Sequence, residues 1–289
     1  MTSPMQKLAT QLENDERLDG IAEQLGTWFD GAVKPGPVKD LLSGTWFGHP
    51  IHPPLTAGVV GMWSGAALLD LVGGERARGG ADALVGLGVL AALPTLATGW
   101  NELADTDGKQ KRLAAVHGLG NAGLTAVFAL SWLSRKVGLR GFGRLLALAG
   151  LGIGGVTAYL GGHLSFVRGI GVNQTAFERP RNRWTAVLGE DELPDSKLTR
   201  ASVDGVEIVL YRRGERVWAL SNRCSHRGGP LFRGKVAGGD DDPNVQCPWH
   251  ASVFRFEDGS IEQGPATSPQ PSFEARITDA KVEVRPRQR

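Results

Sequence analysis

Four long uncharged stretches occupy the middle of the chain. They cover residues 49–69, 83–101, 113–134 and 145–167, and Ala, Gly, Leu and Val dominate them. Each has about the length with which an α-helix crosses the hydrocarbon core of a bilayer. Their apolar residues lie on all sides of the helix instead of forming one stripe. This pattern is typical of a helix that spans a membrane or is buried in a protein core. The pattern predicts four transmembrane helices, and its alternative is a buried bundle in a soluble protein.

Short hydrophilic segments connect these stretches, for example GGERARGGAD and SRKVGLRGFGR. Short connections favour antiparallel hairpins, and the small residues allow close packing of membrane helices. An even number of helices places both ends of the chain on the same side. Asp70 ends the first stretch shortly before Arg76 and Arg78, so we interpret it as an interfacial residue and not as a proton relay.

The residues after Val167 have a different pattern. A linker containing FERPRNRW leads to GVEIVLYRRGERVWAL, and later segments such as DAKVEVR repeat its short Val-rich runs broken by Gly and charge. This pattern predicts strands and tight turns, and about 100 residues of them predict a small antiparallel β domain. The fold class is therefore a multidomain chain, with an all-α four-helix transmembrane bundle followed by an all-β domain.

The predicted boundaries divide the chain into four parts. An amphipathic segment covers residues 1–45, the membrane domain 46–170, a linker 171–194 and the β domain 195–289. Within the first part, Leu8, Leu12, Leu18, Ile21 and Leu25 recur at roughly helical spacing. Such a segment lies along the membrane surface or packs against the soluble tail, and the sequence leaves both alternatives open.

Composition excludes some functions. The formal net charge is +2 and no Lys or Arg run is long, so we expect no nucleic-acid partner. We also expect no cleaved export signal, because the first residues lack an apolar core behind a basic patch. With only two cysteines, the chain can form at most one disulfide.

Two short motifs in the predicted β domain, CSHRGGPL and CPWHASVF, carry candidate metal ligands. Cys224 and His226 form the first pair, Cys247 and His250 form the second, and 20 residues separate the pairs. Each loop can direct two ligands to one point. A mononuclear zinc site is one interpretation, since Cys₂His₂ suits tetrahedral zinc. Zinc fingers, however, usually place both cysteines in one pair.

These motifs, with Gly228 to Leu231 after the first pair, resemble the two cluster-binding loops of Rieske proteins. The segment GPATSPQPSFEARI is similar to the proline-containing loop that covers the cluster in that family, and the resemblance covers residues 195 to 286. It implies one [2Fe-2S] cluster. One iron would be held by the thiolates of Cys224 and Cys247, the other by the imidazoles of His226 and His250.

Details of the motifs refine this resemblance. Respiratory Rieske subunits usually have a second cysteine in each loop, so this chain resembles the ferredoxin type. No histidine follows His250, so we expect no oxygenase iron site after the cluster motifs. Ala251 stands where many relatives have glycine. Ser252 either donates a hydrogen bond to a cluster sulfur or caps a turn.

Four further histidines mark the ends of the predicted helices. We expect them in one layer, on the side from which the β domain emerges: His49, His52, His117 and His163. Two of them would hold haem b, or several would bind a quinone, and Gly118, Gly120 and Gly123 would let a flat ring approach. The alternative is that these histidines only connect helix ends by hydrogen bonds.

The membrane half also resembles a bacterial four-helix membrane family of unassigned function. The resemblance rests on HPIHPPL, GWNELADTDG and LGGHLSF, and it covers residues 45 to 175. Members of that family are often fused to Rieske domains. It implies the architecture but no chemistry for the histidines.

The sequence therefore predicts a membrane-anchored, ferredoxin-like electron carrier with no catalytic residue of its own. Its expected partners are membrane lipid and a redox protein or membrane electron carrier. One alternative is a small quinone or cytochrome oxidoreductase with its haem or quinone in the helical half, and another is a redox-sensing binding module. Lys and Arg do not decide the topology. Because an unsignalled chain without disulfides suits the cytoplasm, we expect the Rieske domain there.

Overall fold

The computed structural model describes residues 3–287, which form two compact units. The helical unit contains residues 3–34 and 51–170, and the β unit contains residues 35–50 and 171–287. The chain therefore leaves the helical unit after Lys34 and re-enters it at Ile51. The amphipathic segment that we predicted over residues 1–45 contributes its described helices to both units.

Four long helices build the helical unit, and all four are long and apolar enough to cross a membrane. They are α4 (His52–Val72), α5 (Arg78–Ala104), α6 (Gly108–Lys136) and α7 (Arg140–Gly162), and a π-helical turn at His163–Val167 follows α7. The prediction of four helices is confirmed. Helices α5 and α6 begin five residues earlier than the uncharged stretches, because charged residues can continue a helix beyond its apolar part. Pro53 and Pro54 occupy the first turn of α4, where a missing N–H costs little.

The centre of this unit is an aromatic stack between α4 and α6. The rings of Trp63 and Phe128 lie 3.9 Å apart and are inclined by 4°. Each ring fills the space that a neighbouring helix leaves at a glycine, Trp63 at Gly88 and Phe128 at Gly150. A side chain at either glycine would collide with the ring, so these glycines permit the close packing of the four helices.

A cluster of charged side chains connects one end of each of the four long helices. Asp70 pairs with Arg135 at 2.5 Å and Arg140 at 2.9 Å, and Asp82 pairs with the same two arginines. The side chain of Arg135 is fully buried. We interpreted Asp70 together with the arginines that follow it, but its partners come from α6 and α7. Removing one member would leave a buried charge unpaired, which is costly.

Two shorter helices, α1 (Pro4–Asn14) and α2 (Asp19–Ala32), pack against α5, α6 and α7. Their small buried residues Ala9 and Ala22 contact Leu113 and its neighbours in α6. Glu13 is buried and pairs with Arg168, while the Nε2 atom of His163 lies 3.3 Å from its carboxylate. These helices are thus part of the helical unit.

The β unit consists of two antiparallel sheets, which confirms the predicted all-β domain. A six-stranded sheet has the order β1-β10-β9-β4-β3-β2, and a four-stranded sheet has the order β5-β6-β7-β8. The strands are β1 (Thr185–Gly189), β2 (Thr199–Val203), β3 (Val206–Arg213), β4 (Arg216–Ser221), β5 (Lys235–Gly238), β6 (Pro243–Gln246), β7 (Val253–Arg255), β8 (Ile261–Gln263), β9 (Ser272–Thr278) and β10 (Lys281–Pro286). Buried residues such as Tyr211, Leu220 and Phe254 form its core. The helix α3 (Pro37–Ser43) and a 3₁₀ turn at Thr45–Phe47 belong to this unit.

The buried carboxylate of Glu13 generates a prediction about stability. Its hydrogen bond with Arg168 lowers the pKa of Glu13 below its ordinary value of 4.5. The charged form therefore stabilises the fold above that pH, and this stabilisation disappears as pH falls through the lowered pKa. We expect Glu13→Gln to reduce stability by about 2 kcal/mol at pH 7 and to weaken the acid dependence of thermal unfolding in detergent. Glu16→Gln, at an exposed carboxylate, is the control, and equal effects of both variants would contradict the prediction.

Candidate metal centre

Two loops of the β unit bring the predicted ligand cysteines together. The first loop follows β4 and contains Cys224, and the second connects β6 to β7 and contains Cys247. The two side chains are 1% and 3% exposed, and their thiols are hydrogen-bonded to each other. Two sulfur donors thus meet at one buried point.

The two loop histidines form the second pair. The rings of His226 and His250 are perpendicular, with centroids 5.1 Å apart, and both side chains are only half-buried. Burial is the main cause that holds the pKa of His226 well below its ordinary value, and the positive charges of His250, Arg227 and Lys39 add to it. A neutral imidazole keeps the lone pair that a metal requires.

Backbone N–H groups surround both sulfur atoms in the same way. Each thiol is approached by the N–H groups of the residues two or three positions later, which are His226, Arg227, Trp249 and His250. Together with the hydrogen bond from Cys224, they lower the pKa of Cys247 to about 7. The same shared hydrogen bond, followed by burial, raises the pKa of Cys224. Both loops therefore present donors to sulfur, and such donors stabilise metal-bound thiolates.

Glycine permits the close approach of the two loops. A Cβ atom at Gly229 would lie 2.7 Å from the Sγ atom of Cys247 and 3.1 Å from the indole of Trp249. Gly228 before it has a φ of +79°, which glycine adopts without steric cost. The glycines of the CSHRGGPL motif are thus required for the geometry of the site.

The segment after β8 holds the first ligand loop in place. Gln270 is fully buried, its Oε1 atom accepts a hydrogen bond from the N–H of Ser225, and its Nε2 atom donates to the carbonyls of Ser221 and Arg223. The hydroxyl of Ser225 donates to the carbonyl of Ser268. One buried amide therefore fixes the backbone on both sides of Cys224.

The second ligand loop is held by Ser252 and contains a strained residue. The Ser252 hydroxyl accepts a hydrogen bond from the N–H of Ala266 at 3.0 Å, and its carbonyl accepts one from the N–H of Cys247 at 2.8 Å. Ala251 has a φ of +62°, in the left-handed region where a residue with a Cβ atom is disfavoured. Glycine would fit that position with less strain.

Helix α3 and the 3₁₀ turn contact the segment after β8, which we call the covering segment. The sequence did not indicate these contacts. The carboxylate of Asp40 accepts a hydrogen bond from the N–H of Gly264 at 2.9 Å, and Thr45 donates to the carbonyl of Ala266 at 3.0 Å. Burial raises the pKa of Asp40. Neither residue stands in a recognisable motif, and Asp40 and Thr45 are 224 and 221 positions from their partners.

The donors in the β unit come as two pairs. Two buried thiols and two half-buried imidazoles fit a two-iron cluster, in which each iron needs two protein ligands. Within residues 3–287, no group of three or more His, Cys, Asp or Glu side chains is placed to hold a single metal ion.

The four remaining histidines do not form one group. His52, His117 and His163 belong to the helical unit, whereas His49 belongs to the β unit and lies near Phe47, with ring centroids 6.2 Å apart. The Nδ1 atoms of His52 and His117 each lie within 3.0 Å of a backbone carbonyl oxygen of the helix that follows. His163 instead lies beside Glu13.

The glycines near His117 differ from our expectation. A Cβ atom at Gly118 would meet Trp100 at 3.2 Å, and one at Gly120 would meet Thr157 at 2.9 Å. These two glycines therefore accommodate side chains of the protein itself. Only Gly123 of the three faces open space.

Two family matches agree with this architecture. Residues 183–274 match the family described as Rieske [2Fe-2S] domain, and residues 48–174 match the family described as predicted membrane protein, DUF2231. Together with the fold and the paired loops, the first match identifies residues 183–274 as a Rieske domain, whose cofactor is a [2Fe-2S] cluster. More particularly, the chain joins a region that matches DUF2231 to this Rieske region.

Three similar proteins each match about a third of the chain. The chain is 28% identical over 100 residues to apoptosis-inducing factor 3 of Homo sapiens, which covers 35% of this chain and 16% of that protein. It is 28% identical over 101 residues to the anthranilate 1,2-dioxygenase ferredoxin subunit of Burkholderia cepacia, covering 35% of this chain and 90% of the subunit. Among solved structures, the ferredoxin of carbazole 1,9a-dioxygenase from Nocardioides aromaticivorans IC177 is 27% identical, with a TM-score of 0.33, and covers 36% of this chain and 98% of the ferredoxin.

The tight contact at Gly229 generates a prediction about cluster assembly. We expect Gly229→Ala to lose most of the cluster absorption of the purified protein, because its methyl group would displace Cys247 and Trp249. Gly239→Ala is the matched control, since nothing lies within 4 Å of a Cβ atom there. Iron and sulfide content should follow the absorption. Full cluster content in Gly229→Ala would show that the loops have more freedom than their packing indicates.

Proposed function

We propose that this protein is a membrane-anchored electron carrier that passes single electrons to or from a redox partner, in the manner of a ferredoxin. The observation that carries the proposal is the pairing of two buried thiols with two half-buried imidazoles on adjacent loops of a Rieske domain. When bound, a [2Fe-2S] cluster supplies one-electron redox chemistry at this position.

In this proposal the four loop residues divide between the two irons. Cys224 and Cys247 hold one iron, and His226 and His250 hold the other. The support is the separation of the donors by burial, since the sulfur atoms lie inside the unit and the imidazoles lie nearer its surface. Two neutral imidazoles in place of two thiolates reduce the negative charge around the iron, which favours uptake of an electron.

The remaining site residues fix the two loops in place. Gln270 fixes the first loop and Ser252 connects the second loop to the covering segment. On the outer side, the Trp249 side chain is 55% exposed next to the ring of His250. We propose that a partner approaches on this side, because an exposed tryptophan beside a ligand gives an apolar contact close to the redox centre.

Names of similar proteins support a protein partner. The anthranilate 1,2-dioxygenase ferredoxin is, by its name, a subunit of a dioxygenase. We propose that this chain likewise serves another redox protein or a membrane electron carrier, with the helical unit confining the exchange to the membrane. Lipid would then surround α4 to α7. We retain residues 46–170 as the membrane domain, 171–194 as the linker and 195–289 as the Rieske domain.

An alternative function is that of a small quinone or cytochrome oxidoreductase. It is favoured by one specific observation, the matching contacts of His52 and His117, whose Nδ1 atoms lie 3.0 and 2.9 Å from carbonyl oxygens of the membrane-length helices that follow. A second redox group in the helical unit would let the chain accept and deliver electrons without a soluble partner.

Spectroscopy of the purified protein tests the cluster. Reduction with dithionite should produce the rhombic paramagnetic signal of a Rieske centre. Cys224→Ser should abolish this signal, whereas Gly239→Ala, at a position where nothing lies within 4 Å of an added Cβ atom, should keep it. A mononuclear zinc content and no signal in the reduced wild-type protein would refute the proposal.

Protease protection tests the topology. We propose that both ends of the chain lie in the cytoplasm, so trypsin should release the Rieske domain from inside-out vesicles and not from intact spheroplasts. The exposed linker arginines Arg179, Arg181 and Arg183 are suitable cleavage sites. Cleavage in intact spheroplasts would place the domain outside, and recovery of the uncleaved chain in the soluble fraction would refute the anchor.

A further inference from the structure

The helical unit contains two equivalent hairpins, α4–α5 and α6–α7. Equivalent residues of α4 and α6 are 65 positions apart, as in His52 and His117, and those of α5 and α7 are 62 positions apart, as in Gly88 and Gly150. Side-chain contacts repeat with this spacing even where the residue types differ. Comparing equivalent residues therefore shows which side-chain contacts occur in both hairpins.

Each hairpin holds a histidine in the same way. The Nδ1 atom of His52 lies 3.0 Å from the carbonyl oxygen of Thr95, and the Nδ1 atom of His117 lies 2.9 Å from that of Thr157. Each ring also packs on the glycine that follows this threonine by one helical turn, Gly99 for His52 and Gly161 for His117. The Cε1 atom of each ring lies 2.8 Å from the position that a Cβ atom of the glycine would take. Both second helices thus have Thr and Gly four positions apart to receive an imidazole.

The aromatic stack places these two histidines at the same level. Trp63 and Phe128 follow their histidines by 11 residues, which is about three helical turns or roughly 16 Å along the axis. Eleven residues also return to nearly the same face of a helix. Since Trp63 stacks directly on Phe128, the two histidines lie on the facing sides of α4 and α6.

The hydrogen bonds determine which nitrogen of each ring carries the proton. A carbonyl oxygen only accepts, so Nδ1 donates to it in both rings, and Nε2 retains a lone pair. Each Nε2 atom lies near a side chain of its own helix, the Thr56 hydroxyl at 3.5 Å and the Asn121 amide at 3.2 Å, and near the glycine on which its ring packs. A histidine whose Nδ1–H is bonded to a carbonyl while Nε2 is available has the usual arrangement of a metal ligand. His163 and His49 do not share this arrangement.

We propose that His52 and His117 are the two axial ligands of a b-type haem bound between the hairpins. Two imidazoles complete the coordination of haem iron because the porphyrin supplies four nitrogens, and a bundle core between facing helices is a usual position for such a cofactor. An apolar macrocycle also suits helices that are long and apolar enough to cross a membrane. This site extends the proposed function, because it adds a second one-electron centre that does not depend on the Rieske ligands.

Haemin titration of the full-length protein in detergent tests this proposal. Wild-type protein should bind one haem per chain, with a sharpened Soret band and, after reduction, the α and β bands of low-spin bis-imidazole haem. His52→Ala and His117→Ala should each lose the low-spin spectrum and weaken binding by at least about tenfold, a loss known even for residues that only support a metal ligand. His163→Ala and His49→Ala are matched controls and should retain both.

A second variant separates ligation from folding. His117→Gly should regain the low-spin spectrum when imidazole is added, because free imidazole can occupy the position of the deleted ring. Cluster absorption in each sample shows that the β unit is intact, and Cys224→Ser should lose the cluster while keeping the haem. The proposal is overturned if stoichiometric haemin leaves the Soret band of the folded wild-type protein unchanged, or if the low-spin spectrum survives in the double variant His52→Ala/His117→Ala.

Discussion

The site in the β unit depends on one constraint, the contact between two buried cysteine loops. Cys224 and Cys247 can meet only because Gly229 leaves room beside the second sulfur. Once the loops are in contact, their N–H groups surround both thiols and their histidines lie on the outer side. The buried amide of Gln270 and the hydroxyl of Ser252 then have fixed partners. The supporting hydrogen bonds therefore have a common purpose, which is to keep two thiols together at a place where burial alone would disfavour charge.

Much of this organisation could be predicted from the sequence because its signals are local. Uncharged stretches gave the four helices, Val-rich runs gave the β domain, and the spacing of Cys224, His226, Cys247 and His250 gave the pairs of donors. The contacts that were missed are long-range. Asp40 lies in an ordinary short helix, and only the fold brings it to Gly264. Asp70 was interpreted with its sequence neighbours, whereas its partners lie two and three helices further along the chain.

The histidines show how structure refines a compositional argument. In the sequence, His49, His52, His117 and His163 are alike, since each marks the end of an apolar stretch. In the structure, only His52 and His117 have the same hydrogen bond, the same glycine contact and the same level relative to the aromatic stack. Sequence comparison of the two hairpins would hardly detect this equivalence, because Thr56 corresponds to Asn121 and Trp63 to Phe128. The repeated contacts are more informative than the repeated residue types.

The cluster of charged side chains around Asp70 and Arg135 has a consequence for how the two hairpins associate. Asp70 and Arg135 occupy equivalent positions of the two hairpins, yet they carry opposite charges and bind one another. Two copies of the first hairpin would bring two carboxylates together, and two copies of the second would bring two guanidinium groups together, both in a poorly solvated position. The hairpins therefore favour union with the other half of the chain and disfavour union with themselves. Charge at a single equivalent position thus protects the assembly of the bundle against pairing of identical halves.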